Sequence, residues 1–139
     1  MASELKVDKF TGVTTAGSIS VTGEGNSTTT NLQQGLAKVF INFNGTGTIA
    51  TRDSFNTSSI TDVNTGNYEV ASSNNMGNIN YTNVLNCNNT SAFNGMFGST
   101  DTAASGSITT SSIRFFTCSA HTTNNDPRTV QIATFGDLA

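Results

Sequence analysis

Apolar and polar residues alternate with a period of two along most of this chain. In Leu36-Ala37-Lys38-Val39-Phe40-Ile41-Asn42-Phe43, one face carries Val39, Ile41 and Phe43, and the other carries Lys38, Phe40 and Asn42. Alternation of β-branched and aromatic residues predicts a strand, because successive side chains of a strand point to opposite faces. The same rhythm predicts strands over residues 48–51, 68–71, 79–87, 108–118 and 130–135. Phe55 and Ile60 flank what reads as a polar connection. Turns are expected at Asn44-Gly45-Thr46-Gly47 and over residues 62–67; Asn-Gly is a hairpin dipeptide because both residues tolerate positive φ. Residues 88–98 read as a loop or weak strand, 98–106 as loop, and 119–128 as a polar loop with the only proline. No segment keeps a 3.6-residue period long enough for a helix, although residues 31–35 suit a single turn. About seven or eight short strands, with turn signals every 8–12 residues, predict an all-β fold: an antiparallel β-sandwich, jelly-roll-like, or a barrel.

Residues 1–31 break this pattern. Their apolar residues are few and widely spaced: Leu5, Val7, Val13, Ile19 and Val21. So few cannot close a core within one chain. We expect an extended N-terminal arm over residues 1–31, ordered by pairing with identical chains, and a sandwich domain over residues 32–139.

Composition narrows the classes. Thr, Asn and Ser are the commonest residues, and charged residues are 11%, under half the usual share of about 25%. Nine Phe and recurrent Thr, Val and Ile argue for order, since disordered chains are poor in such residues. The net charge is −3, and no two of the six Lys and Arg are adjacent, so no nucleic-acid partner is expected. No apolar run approaches the roughly 20 residues needed to cross a bilayer, so membrane insertion is not expected either. The start, MASELKVDKF, lacks the apolar stretch of a signal peptide. Cys87 and Cys118 are therefore expected as reduced thiols used as small apolar residues, with a bridge left open if their strands are neighbours.

The residues that bear chemistry are scattered. His121 is the sole histidine and sits in a polar loop; with Ser residues everywhere, a Ser-His-Asp count carries no information. No spacing pairs two carboxylates for glycoside hydrolysis. Two isolated cysteines are not a zinc site, and Asn124-Asn125-Asp126 is too sparse for calcium. We expect no catalytic residue, no metal and no cofactor. Arg52-Asp53 reads as structural, its charges pairing with the backbone to fix the turn before Phe55. What is left is a neutral polar surface. Amides and hydroxyls with an occasional aromatic suit sugars, whose hydroxyls need partners and whose ring faces are apolar. The candidate contact residues are Asn88, Asn89, Phe93, Asn94, Phe97, His121, Asn124, Asn125 and Arg128.

Three segments carry a resemblance: Ala2-Ser3-Glu4-Leu5-Lys6-Val7-Asp8-Lys9; Thr15-Ala16-Gly17-Ser18-Ile19-Ser20-Val21-Thr22-Gly23-Glu24-Gly25 with Thr28-Thr29-Thr30-Asn31; and the run 32–70. A shorter echo is Phe135-Gly136-Asp137-Leu138-Ala139. Together, about half the chain, they resemble tail-fibre and virion appendage proteins of marine bacteriophages, of the cyanophage and pelagiphage type. The resemblance implies a virion protein assembled in the host cytoplasm, a homotrimer whose arm meets other virion proteins, and a displayed C-terminal β-domain. It brings no catalytic set. It leaves two roles: attachment to a host-surface glycan, or a purely structural capsid decoration, head fibre or adaptor. The middle of the chain, from about residue 71 to 127, shows no resemblance and is where a host-specific surface is expected.

Overall fold

The computed structural model describes residues 4–13, 19–23, 29–88, 96–100, 108–119 and 123–139. Strand makes up 56% and helix 4%, so the chain is all-β with antiparallel sheets, as its two-residue rhythm predicts. It divides into two units, Met1–Leu36 and Ala37–Ala139.

In the first unit, β1 (Ser20–Thr22) and β2 (Thr29–Asn31) form an antiparallel pair with Val21 opposite Thr30. A single helical turn, α1 (Leu32–Gly35), follows at once. Asn31 starts it: its side-chain oxygen accepts from the Gln34 N–H at 3.2 Å, satisfying one orphan donor of the turn. None of the described residues of this unit is buried, and Leu5, Val7, Phe10, Val13 and Val21 are all exposed. A lone two-stranded hairpin is marginal in water.

The second unit is two facing sheets. In the first, β3 (Val39–Asn44) lies between β4 (Ala50–Phe55) and β11 (Thr129–Phe135), and β7 (Thr82–Asn88) pairs with the far side of β11. In the second, β5 (Thr57–Asn64) pairs with β6 (Asn67–Ser72), and β6 pairs with β9 (Ser112–Ser119). The opposite edge of β9 takes β8 (Met96–Thr100), while β10 (Thr123–Asn124) continues beyond β6. Every pairing is antiparallel.

The core lies between the sheets. Ile41 and Phe43, Cys87, Val130 and Ile132 of the first sheet meet Tyr68, Val70, Ile113 and Phe115 of the second. Phe43 meets Tyr68 edge-on, with centroids 5.1 Å apart, and Phe115 closes the triangle at 6.3 and 5.8 Å. Such pairs add roughly 1 kcal/mol each beyond the area they bury. The inward set of β3 is the Val39, Ile41, Phe43 face of the alternation. Both cysteines are buried and unbridged.

Tertiary context changes several local expectations. The polar stretch after Phe55 is not a connection: β4 runs into β5 with only Asn56 between them, and the chain passes there from one sheet to the other. Asn56 has φ +54, which a short amide side chain tolerates. Its amide group holds the corner, donating to the Lys38 and Asn74 carbonyls at 3.0 and 3.1 Å and accepting from the Asn74 N–H at 2.7 Å. Residues 98–100, expected as loop, belong to β8. The turn expected at residues 44–47 does join β3 to β4, but not through positive φ at Asn44 or Gly45. The positive φ falls on Gly47, and the loop runs over residues 45–49. Gly45 serves a different need: a Cβ there would stand 2.5 Å from the Tyr68 hydroxyl oxygen and 2.8 Å from the Pro127 carbonyl.

Strand directions sort the connections by end. The chain enters this unit at Ala37, at the end that also holds Asn56, residues 73–81 and the C-terminus, where Met76 bridges Leu138. The opposite, far end holds the 45–49 loop, the Thr65-Gly66 turn and residues 123–128.

Candidate functional site

The far end is built around Asp126. One carboxylate oxygen accepts from the Gly66 N–H at 2.6 Å and from the Tyr68 hydroxyl at 2.8 Å. Tyr68 is fully buried, and its pKa is pushed far above the ordinary tyrosine range, first by burial and then by its hydrogen bond to Asp126. Thr117, also fully buried, donates its hydroxyl to the Asn125 carbonyl at 2.6 Å, and its backbone carbonyl accepts from the Asn125 N–H at 3.1 Å. The Pro127 carbonyl accepts from the Gly45 N–H at 2.9 Å. Gly66, at φ +67, lets this happen: a Cβ there would sit 2.6 Å from the Thr117 carbonyl and 2.8 Å from the Asn125 nitrogen. Residues 125–127 are thus a plug that closes the core and not the free polar loop their composition suggests.

The predicted contact residues divide accordingly. Asn88, at the end of β7, lies opposite Thr129, so it stands at the far end beside Arg128. Asn88, Asn124 and Arg128 are exposed. Asn125 is half-buried, and its backbone is spent on Thr117. Phe97 lies in β8 opposite Cys118. Asn89, Phe93, Asn94 and His121 lie outside the described residues. Of the arm residues, Leu5, Val7, Val13, Ile19 and Val21 all sit in the first unit, where none is buried.

Arg52 occupies a bulge in β4, where the register shifts against Asn42 and Phe43. Its guanidinium crosses β3 and donates to the Phe43 carbonyl at 3.3 Å, the Thr129 hydroxyl at 3.0 Å and the Arg128 carbonyl at 2.6 Å. It ties three strands of the first sheet together through two backbone carbonyls and a hydroxyl.

A second surface was not among the sequence candidates. The outer face of the first sheet holds a concavity of about 360 Å³, lined by Phe40, Asn42, Asp53, Val84, Asn86, Gln131 and Ala133. Phe40 and Phe55 stack there with centroids 6.1 Å apart and 20° between planes. The signal was present in the sequence: Phe40 is an aromatic on the polar side of an otherwise well-alternating strand. By contrast, a void of about 20 Å³ near Met76 and Tyr81 has room for about one water molecule.

The described residues present amide, hydroxyl, carboxylate and guanidinium groups. No group of three His, Cys, Asp or Glu among them could hold a metal ion. Burial, with a contribution from Cys118, raises the Cys87 thiol pKa, which disfavours the reactive thiolate. Comparison with protein-family models, curated proteins and solved structures finds no match to the chain.

Proposed function

We propose that this chain is a tail-fibre-like appendage of a bacteriophage virion, and that its sandwich unit is a non-enzymatic module for attachment to a host-surface glycan. The observation that carries this is the convergence of Asn88, Asn124 and Arg128 at the end of the sandwich opposite the chain's entry at Ala37. A domain held by its chain at one end is free to present the other. The exposed valines and leucine of the first unit support assembly into a homotrimer through the arm, and the resemblance to phage appendages supports the count of three and the virion location.

Binding by such a surface depends little on salt, because the charges among the described far-end residues, Asp126, Arg128 and Arg52, are of mixed sign. Labelled full-length protein incubated with host cells tests this. Retention at both low and high salt is expected, with about fivefold weaker binding on replacing Asn88 and Asn124 together by Ala, the equivalent of roughly one hydrogen bond. Failure to bind at either salt, with the sandwich unit found packed against the capsid or tail in intact particles, would replace attachment by a structural role.

A further inference from the structure

Two chemically different rows cross the outer face of the first sheet. Phe55, Phe40, Ala133 and Val84 form one, and Asp53, Asn42, Gln131 and Asn86 form the next, each taking one residue from β4, β3, β11 and β7. The apolar row is open to water: Phe40 is 36%, Phe55 53% and Val84 58% exposed. We propose that this face binds an uncharged saccharide lying across the strands, at a place separate from the far end.

The polar row is pre-oriented. Asn86 donates one amide N–H to the Gln131 side-chain oxygen at 3.0 Å, and the Gln131 NH₂ and the Asn86 side-chain carbonyl have no partner among the described residues. Arg52 donates to the Asn42 side-chain oxygen at 3.5 Å, leaving the Asn42 NH₂ as the open group. Asp53 has no partner among the described residues. The row therefore offers open acceptors at Asp53 and Asn86 and open donors at Asn42, Gln131 and Asn86. Sugar hydroxyls each donate and accept, so they match such a row, while the C–H face of the ring lies on the Phe40–Phe55 stack. An apolar protein surface would cover Phe40 and Val84 but strand the carboxylate and the amides without partners.

Charge selects within the sugars. Among the eight residues of the two rows only Asp53 is charged; the Arg52 guanidinium beside Asn42 keeps its own charge, since its four acceptors within 3.5 Å are all neutral oxygens. An acidic sugar with a carboxylate over Asp53 would meet like charge there. Four strands at about 4.8 Å spacing span about 14 Å, room for a short oligosaccharide.

Calorimetric titration of the full-length protein with neutral gluco-, galacto- and manno-oligosaccharides, and with oligouronates as the contrast, tests the proposal. At least one neutral series should bind, and oligouronates should bind about tenfold more weakly, a gap that Asp53→Asn narrows. Phe55→Ser should weaken binding about tenfold while the fold is kept and the melting temperature drops by only a few degrees, and Gln131→Leu about fivefold. Asn124→Ala, in the other sheet, should leave this binding unchanged, which separates it from the far-end attachment surface. Absence of binding to every neutral series, or binding that survives Phe55→Ser, overturns the proposal. So does a Phe55→Ser protein that changes its oligomeric state, which would make the face a contact between copies.

Discussion

Replacing Tyr68 by Phe removes one oxygen from the centre of the far-end plug and leaves the ring in its place between Phe43 and Phe115. The lost bond is a 2.8 Å donation to the Asp126 carboxylate. Hydrogen bonds to a charged acceptor contribute about 1.5–3 kcal/mol, so we expect Tyr68→Phe to be destabilised by about 2 kcal/mol at pH 7. The penalty should shrink in alkali, and the sign follows from proton binding. Folding holds the Tyr68 phenol neutral well above its ordinary pKa of about 10, chiefly through burial and then through Asp126. The unfolded chain releases that proton above about pH 10. Tyr68's contribution is therefore complete below pH 10 and falls by about 1.4 kcal/mol per pH unit above it. The phenylalanine ring of the variant has no such proton. At pH 11 the gap between the two proteins should close to about 0.6 kcal/mol. Tyr81 and Cys87, whose pKa values burial also raises, act equally on both proteins and cancel. Urea unfolding of both proteins under reducing conditions, at pH 7 and pH 11, measures the difference. An equal gap at the two pH values would refute a buried, neutral Tyr68 held against Asp126.

Three further outcomes follow from the geometry. Asn56→Ala should lose about 3–4 kcal/mol, from about 1 for positive φ and about 1 for each hydrogen bond at the corner, whereas Asn56→Gly should lose about 1 kcal/mol less; urea midpoints would show the order. Gly66→Ala should cost at least about 3 kcal/mol, because its Cβ would overlap the Thr117 carbonyl, while Gly47→Ala, with positive φ but open space, should cost about 1 kcal/mol by thermal melting. Removing residues 1–36 should leave the melting temperature of the sandwich unit nearly unchanged and reduce the mass seen by light scattering to that of one chain; a trimer that survives the deletion would sink the assembly role of the arm.

The alternation Val39-Phe40-Ile41-Asn42-Phe43 by itself determines that β3 is a strand and which of its faces is buried, because side-chain direction in a strand depends only on residue parity. The same local rule locates β6, β7, β9 and β11, and the capped turn at Leu32–Gly35 was legible in Asn31 and its neighbours. Local sequence did not decide where Asn44-Gly45 and Asn56 would take their roles. Asn44-Gly45 has the composition of a tight turn, but Tyr68 and Pro127, distant in sequence, press on Gly45 and the loop opens to Gly47. Asn56 looks like any polar residue until Lys38 and Asn74 are brought to its amide. The site divides in the same way. Sequence composition pointed to the far-end loops, and strand directions bring Asn88, Asn124 and Arg128 to that end. Only tertiary pairing shows that Asp126 is spent on Tyr68 and Gly66, and only the register of four strands sets Asp53, Asn42, Gln131 and Asn86 in one row beside two stacked rings. A row across strands takes one residue from each, so no contiguous stretch of sequence can display it.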